Sequence, residues 1–258
     1  MTEREQSGSI VKQNLGLHAF AEVLVFGFVS GPSVEGGENI VEAERLLRLG
    51  VPVEFWFAPH ESHADYTLLH KVQSTTVSSA FAHDTYGVMG SMLDKMLITR
   101  ILKHAYKGFM VPSVRDIPTT EEGKEERNDN KENAFEVVEQ LHSNGKAIGL
   151  NPEGTRLGGK ELRRGVGGVG RYPRTMNGGV ILPVAIEGAS DILRVGSKMP
   201  HRGPAKLKCG KPIWVGELLD RAKGLSIVEG NQLMVDTVMF EIAKLLPEEK
   251  RGFYANLR

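Results

Sequence analysis

The chain has 258 residues and carries 32 basic and 32 acidic side chains, so its formal net charge is zero. Its hydrophobic content of 40% and charged content of 25% are ordinary for a globular protein and exclude disordered and collagen-like chains. Without a net positive charge the surface has no general attraction for nucleic acid, and we expect no nucleic-acid partner. The single cysteine, Cys209, excludes an internal disulfide and fits a reducing compartment.

The longest apolar run covers residues 17–31 and is interrupted by His18 and Glu22. A membrane-spanning helix needs about 20 mostly apolar residues, so this run is too short. It also lacks the small-residue cleavage site of a signal peptide. Either a buried strand at 23–29 or a membrane-surface element fits the pattern. We therefore predict that residues 1–36 pack on the core or on a membrane surface, and that the protein is soluble or peripheral on the cytoplasmic side.

Helical and strand patterns then alternate along the chain. The predicted helices are 39–49, 87–106, 133–145 and a last one through Leu246; the predicted strands are 51–57, 75–82, 107–114, 146–150, 179–186 and 205–215, and 118–132 is a polar loop. This alternation predicts an α/β layered fold with a central mixed, largely parallel sheet flanked by helices. No repeat or clean domain boundary is visible.

Residues 60–65, "HESHAD", lie between a predicted strand and a possible helix. In open α/β sheets ligands bind at the carboxyl ends of strands, which is where this stretch falls. It fits a capping box in which Ser62 and Asp65 stabilise the start of the helix. It also fits a catalytic base, His60, whose tautomer is fixed by Asp65 one helical turn further on.

A third interpretation of the same stretch is a metal site. His60, His63 and Asp65 would be its ligands, with His70 as a possible fourth. No matching second cluster occurs elsewhere in the sequence, so the spacing gives this interpretation little support.

Residues 151–157, "NPEGTRL", follow directly after the predicted strand 146–150. Proline and glycine favour a tight turn, and Glu153 and Thr155 supply polar groups. The planar fork of Arg156 suits a phosphate. By itself the stretch could equally be a surface turn.

The pattern H-x-x-x-x-D followed by P-E-G-T-R resembles the glycerolipid acyltransferase family, which includes glycerol-3-phosphate and 1-acylglycerol-3-phosphate acyltransferases. Two further blocks of that family occur in order: "GFMVPSVR", which ends in Arg115, and "VILPVAI", which contains Pro183. The similarity extends over residues 37–217. Pro59, Asn151 and Leu157 depart from the usual family residues but remove no catalytic group.

The resemblance implies an O-acyltransferase of glycerol-3-phosphate acyltransferase-like fold, with residues 37–258 as the acyltransferase domain. His60 would be the general base and Asp65 its partner, and Pro183 would shape the acyl-donor side. The residues expected to hold the acceptor's phosphate and glycerol are Arg115, Glu153, Gly154, Thr155 and Arg156.

The implied reaction moves a fatty acyl chain from acyl-CoA or acyl-carrier protein to the hydroxyl of glycerol 3-phosphate or 1-acylglycerol 3-phosphate, in phospholipid biosynthesis. We expect no cofactor beyond the acyl thioester, and a membrane surface as a partner. Three alternatives remain open: another lysophospholipid acceptor, a metal-dependent hydrolase that uses His60, His63 and Asp65, and a non-enzymatic lipid-binding protein.

Other patterns favour less specific interpretations. "GVGGVG", residues 165–170, matches a dinucleotide fingerprint but does not follow a strand, so we interpret it as a flexible glycine loop. Basic residues surround it and could contact CoA, a carrier protein or lipid headgroups. These are Lys160, Arg163, Arg164, Arg171 and Arg174. Met89, Met92 and Met96 fit either a core or an acyl-chain groove.

Overall fold

The computed structural model describes residues 29–30, 33–62, 64–77, 82, 85–90, 110–113, 134–154, 161–176, 178–194, 197 and 201–256. The strands are β1 (Ser33–Glu35), β2 (Val53–Ala58), β3 (Thr85–Gly90), β4 (Met110–Ser113), β5 (Ala147–Leu150), β6 (Val180–Glu187), β7 (Lys206–Cys209) and β8 (Ile213–Trp214). The α-helices are α1 (Gly37–Arg48), α2 (Asp65–Thr76), α3 (134–143), α4 (Ala189–Ile192), α5 (Val215–Arg221) and α6 (Ile227–Leu245). Short 3₁₀ helices cover Gly167–Thr175, Glu248–Lys250 and Gly252–Tyr254.

These strands form one sheet in the order β1-β7-β6-β2-β5-β3-β4, with β8 also paired to β6. Strand β2 runs parallel to both of its neighbours, β5 and β6. Strand β3 is parallel to β4 and β5, whereas β6 pairs antiparallel with β7 and β8. The predicted mixed, largely parallel sheet is therefore confirmed.

Strand β2 is buried along its whole length because helices cover both faces of the sheet. Its side chains alternate between two hydrophobic clusters: Phe55 and Phe57 face one, and Trp56 and Ala58 face the other. Helices α1 and α2 supply the first cluster, and α3 and α6 the second. The sequence between residues 53 and 58 is thus almost continuously apolar, as expected for a central parallel strand.

One polar group breaks this apolar run. Glu54 is fully buried, and its carboxyl accepts a hydrogen bond from the Trp56 indole at 2.7 Å. Its other oxygen lies 3.8 Å from Nε2 of His142 on α3. Burial raises the pKa of Glu54 to about 8 and lowers the pKa of His142 to about 4, so both groups are uncharged at neutral pH.

The helices form where the sequence supplies amphipathic faces and caps. In α1 the buried face is Ile40, Ala43, Leu46 and Leu47, while Val41 on the same helix is exposed. Helix α6 begins with a capping box between Ser226 and Glu229, which satisfies backbone N–H groups of its first turn. The predicted last helix is confirmed, and its apolar stripe packs on β6 and β2.

Three predicted elements differ from the structure. The strand predicted at 75–82 is wrong at its start, because Thr75 and Thr76 still belong to α2. The helix predicted at 87–106 is wrong at its start, because residues 87–90 pair with β4 and β5 as part of β3. Met89 therefore lies in a strand, where hydrogen bonds to neighbouring strands override the helical spacing of the methionines; residues 91–106 lie outside the described residues. The strand predicted at 205–215 is split at Gly210, whose N–H binds the Pro183 carbonyl.

The glycine-rich segment is not the flexible loop that its composition suggested. Residues 167–175 form a 3₁₀ helix packed on α6. A Cβ atom at Gly170 would lie 2.3 Å from the backbone oxygen of Asn231, and one at Gly165 would lie 2.3 Å from Val235. These glycines therefore permit close approach to α6, and the strand–turn–helix context of a dinucleotide site does not occur here.

The N-terminal prediction falls largely outside the described residues, which begin at Val29. Val29 forms a parallel bridge with Gly203. The division into residues 1–36 and 37–258 stays a prediction. In the part of the chain that the structure describes, none of the helices has the length and apolarity needed to cross a membrane.

We expect Gly170→Ala to destabilise the fold, because its methyl group would overlap the Asn231 backbone of α6. Overpacking of this kind lowers the free energy of unfolding by about 1–3 kcal/mol. Gly168→Ala is a matched control in the same 3₁₀ helix, where a Cβ would meet nothing within 4 Å. Urea denaturation of both variants tests the packing; equal midpoints would contradict it.

Candidate active site

The centre of the candidate site is a histidine–aspartate pair at the carboxyl end of β2. His60 Nδ1 lies 2.6 Å from Asp65 Oδ2. The His60 side chain is 19% exposed and that of Asp65 only 1%, so the pair is buried on the aspartate side and open on the histidine side. The rings of His60 and Phe57 form a T-shaped pair with a centroid distance of 6.5 Å and an interplanar angle of 78°.

Asp65 is the first residue of α2, and the loop before it holds its carboxylate in place. The Ser62 N–H donates to both carboxylate oxygens, at 3.2 and 3.1 Å. The Ser62 hydroxyl accepts from the Ala64 N–H at 2.8 Å, not from Asp65. Of the predicted capping box, the bond from the Ser62 N–H to the Asp65 carboxylate forms, and the bond from the Asp65 N–H to the Ser62 hydroxyl does not. The same carboxylate also orients His60. Burial raises the pKa of Asp65, while the hydrogen bond with His60 acts in the opposite direction.

Glu153 connects the two sequence motifs. Its Oε2 accepts from the His60 N–H at 2.7 Å, and its Oε1 accepts from the Arg163 N–H at 2.8 Å. The side chain is buried, and burial raises its pKa to about 7, although the two backbone donors favour the charged form. In this structure Glu153 fixes the backbone of His60; its expected contact with the acceptor stays a prediction.

Asn151 makes a second connection, which the sequence did not reveal. Its side-chain amide donates to the Phe57 carbonyl at 2.6 Å, and its side-chain oxygen accepts from the Glu153 N–H at 2.9 Å. The predicted tight turn follows, with Gly154 at φ 63° and its N–H on the Asn151 carbonyl. From the sequence alone, Asn151 is only a departure from the usual family residue. An asparagine directly after a strand is nevertheless typical of such turns, and this signal could have indicated its role.

Glu61 is a further buried carboxylate that the sequence did not mark as special. It is 1% exposed, and its Oε2 accepts from the Ser190 N–H at 3.2 Å. A glutamate within a short polar loop is ordinary on a surface. Contacts with segments far away along the chain, such as Ser190 of α4, accompany its burial.

The remaining predicted residues have different outcomes. Pro183 lies inside β6, opposite Trp56 of β2, so it belongs to the sheet beneath the site. Arg115, His63, Thr155 and Arg156 lie outside the described residues. Among the described residues, no group of three or more histidine, cysteine, aspartate and glutamate side chains could hold a metal ion.

The basic residues near the glycine-rich segment make contacts within the fold. Arg164 pairs with Asp236 at 2.7 Å, and Arg174 donates to the Asn231 side chain at 2.6 Å. Arg171 stacks over Phe135 at 4.0 Å from the ring centre. Lys160 lies outside the described residues, and binding of CoA, a carrier protein or headgroups by this segment stays a prediction.

A family model described as Acyltransferase matches residues 55–187, which contain the His60–Asp65 pair and the Pro152–Gly154 turn. The chain belongs to the acyltransferase family. The predicted enzyme class, an O-acyltransferase, is confirmed with it. The search of curated proteins gave no match.

A solved structure shares the fold: the crystal structure of the 1-acyl-sn-glycerophosphate (LPA) acyltransferase PlsC from Thermotoga maritima. The TM-score is 0.54 at 19% sequence identity, and the match covers 95% of this chain and 83% of that one. The predicted glycerol-3-phosphate acyltransferase-like fold is thus confirmed.

The arrangement around His60 can perform general-base chemistry. When Asp65 accepts the Nδ1 proton, the unprotonated nitrogen is Nε2, which can take a proton from a bound hydroxyl. Asp65 also stabilises the imidazolium that this transfer produces. The backbone N–H groups of His60 and Ser62 donate to Glu153 and Asp65, and these hydrogen bonds fix the position of His60 before any substrate arrives.

We expect Asn151→Ala to loosen this arrangement, because it leaves the Phe57 carbonyl and the Glu153 N–H without their partner. Loss of hydrogen bonds at buried groups costs about 1–3 kcal/mol of unfolding free energy. Asn144→Ala is the control, since Asn144 is exposed and its side-chain amide donates to the carbonyl of Gln140 one turn earlier. We expect it to change stability by less than about 0.5 kcal/mol. Chemical denaturation compares the two, and equal losses would show that Asn151 does not couple the motifs.

Proposed function

We propose that this acyltransferase moves a fatty acyl chain from acyl-CoA or acyl-carrier protein to the hydroxyl of glycerol 3-phosphate or 1-acylglycerol 3-phosphate. The observation that carries the proposal is the 2.6 Å contact between His60 and a buried Asp65 at the carboxyl edge of the sheet. The PEG turn lies at the same edge, where the family pattern expects the phosphate of the acceptor.

The reaction needs a base because a glycerol hydroxyl is a poor nucleophile at neutral pH. His60 Nε2 takes the hydroxyl proton while the oxygen attacks the thioester carbonyl carbon. The tetrahedral intermediate then expels the thiolate, which receives the proton from His60. The products are an ester and a free thiol. Because thiolate is a good leaving group, no covalent acyl-enzyme is required.

Positioning supplies a further part of the rate. Oriented groups that bring hydroxyl and base together replace a bimolecular encounter by a local one. Glu153 supports this orientation by holding the His60 backbone through a 2.7 Å hydrogen bond. Arg115 and Arg156, as the family pattern implies, would bind the acceptor phosphate and direct its hydroxyl to His60.

The two candidate acceptors differ in where the enzyme would meet them. The structural neighbour from Thermotoga maritima is an LPA acyltransferase, which favours 1-acylglycerol 3-phosphate as the first acceptor to test. That acceptor carries an acyl chain and resides in a membrane, so a membrane surface would be a partner. Glycerol 3-phosphate is water-soluble, so the enzyme could bind this acceptor without contact with a membrane.

The proposal is tested by thiol release from long-chain acyl-CoA with each acceptor, and in parallel from an acyl-carrier-protein thioester. We expect acceptor-dependent release that falls about 10²–10⁴-fold in His60→Ala, the usual contribution of a general base. His201→Ala is the control, because His201 is an exposed histidine remote from the pair in sequence. Its activity should match that of the wild type.

Other outcomes would identify the alternatives. Release that does not depend on acceptor would indicate a thioesterase, and activity lost in chelator would indicate a metal-dependent hydrolase. Lipid binding unaffected by His60→Ala, without any turnover, would indicate a binding protein. Near-normal turnover in His60→Ala would contradict the mechanism directly.

A further inference from the structure

Glu61 is a buried carboxylate directly beside the catalytic pair, and only one of its oxygens is hydrogen-bonded in the described structure. Oε2 accepts from the Ser190 N–H, whereas Oε1 is buried and makes no hydrogen bond. A buried charge is costly without compensation. The surroundings of Oε1 must therefore provide an opposite charge or keep the group protonated.

The opposite charge comes from Lys250, near the end of the chain. Lys250 Nζ lies 3.6 Å from Glu61 Oε1 and 3.5 Å from Glu187 Oε2. Glu187 has a closer partner in Lys208, whose Nζ lies 2.9 Å from its other oxygen and also donates to the Leu245 carbonyl. Lys208 thus supplies the closer positive charge for Glu187, and Lys250 lies between Glu187 and Glu61 at nearly equal distances.

The backbone around Lys250 is fixed to the loop that supports the site. The Lys250 carbonyl accepts from the Leu162 N–H at 2.9 Å, and the Leu162 carbonyl accepts from the Phe253 N–H at 3.0 Å. The next residue, Arg163, donates its N–H to Glu153. Residues 250–253 thus reach the site in two ways: Lys250 lies beside Glu61, and Leu162, which they bind, precedes the Arg163 that donates to Glu153. Residues 250–253 lie outside 55–187, which the family model matches.

Among the described residues, the carboxylates around His60 are Asp65, Glu61 and Glu153. The side-chain cation facing Glu61 is Lys250, and Arg163 acts on Glu153. Burial and the neighbouring Asp65 raise the pKa of Glu61, while Lys250 and the backbone N–H groups of Ser190 and Ala189 lower it. Removal of Glu61 leaves one uncompensated cation beside the catalytic pair, and removal of Lys250 leaves one uncompensated carboxylate for as long as Glu61 stays ionised.

We propose that Lys250 is a positioning residue of this enzyme, which balances the buried Glu61 charge and so sets the electrostatic environment of the His60–Asp65 pair. The catalytic meaning of this role rests on the proposed function, but the charge balance itself does not. Lys250 acts through Glu61 and touches no reacting atom.

The charge balance is tested by NMR titration of the His60 ring in full-length wild type, Lys250→Met, Glu61→Gln and the double variant. Lys250→Met leaves an anion near His60 and should move the midpoint of its titration to higher pH. Glu61→Gln leaves a cation and should move it to lower pH, each by roughly 0.5–1 pH unit. The double variant, with neither charge, should return towards the wild-type midpoint.

Two controls separate this role from a general effect on folding. Lys250→Arg keeps the charge and should keep the midpoint. Lys223→Met removes an exposed lysine that pairs with the nearby Asp220 on the surface, and it should leave the midpoint unchanged. If Lys250→Met fails to fold, Glu61→Gln and Lys250→Arg still carry the test. Single variants that do not shift in opposite directions, or a double variant that does not return, would overturn the proposal.

The same variants are then assayed for acyl transfer across pH. We expect the acid limb of kcat/KM to move in the same direction as the His60 midpoint in each variant, with little change in the KM for acyl donor. Shifts in the NMR midpoint without any transfer activity in the wild type would contradict the proposed function but not the charge balance. A destabilised Lys250→Met with an unshifted limb would show that the contact is only structural.

Discussion

The parallel pairing of β2 with β5 is the constraint on which the candidate site depends. Parallel neighbours end at the same edge of a sheet, so the loops that follow them must meet there. The HESHAD loop follows β2 and the NPEG turn follows β5, although they are distant in the sequence. Burial of β2 on both faces fixes this register, because a shift by one residue would exchange the two hydrophobic clusters.

Side-chain bonds to backbone groups then convert this proximity into a defined geometry. Asn151 binds the carbonyl of Phe57, and Glu153 binds the N–H of His60, so each motif holds the other. The result is one histidine beside buried carboxylates that accept hydrogen bonds from backbone N–H groups, with Lys250 at 3.6 Å from Glu61. Such a site is oriented before substrate binds, which is the condition under which positioning contributes most to the rate.

Much of this could be predicted from the sequence, for identifiable reasons. Long apolar periodicity predicted β2, β6 and α6, and the resemblance of the H-x-x-x-x-D and P-E-G-T-R motifs to the acyltransferase family indicated His60 and Asp65 as a pair. Short or ambiguous runs were predicted less well. Met89, Met92 and Met96 have helix-like spacing in the sequence, but Met89 lies in β3, where pairing between strands decides the conformation. The glycines at 165 and 170 predicted flexibility, whereas their role depends on the approach of α6, which no local pattern reveals. For the same reason Asn151, Glu61 and Lys250 could not be recognised, since their partners are far away along the chain.

The claim at the centre of this account is that Asp65 holds His60 with its proton on Nδ1 and leaves Nε2 free to act as the base. The ¹⁵N chemical shifts of the His60 ring, measured in the neutral form, test it most directly. The account predicts a protonated Nδ1 and an unprotonated Nε2 in the wild type, and a loss of this preference in Asp65→Asn. A wild-type ring protonated on Nε2 would contradict the account, because that nitrogen could not then accept the proton of the acyl acceptor.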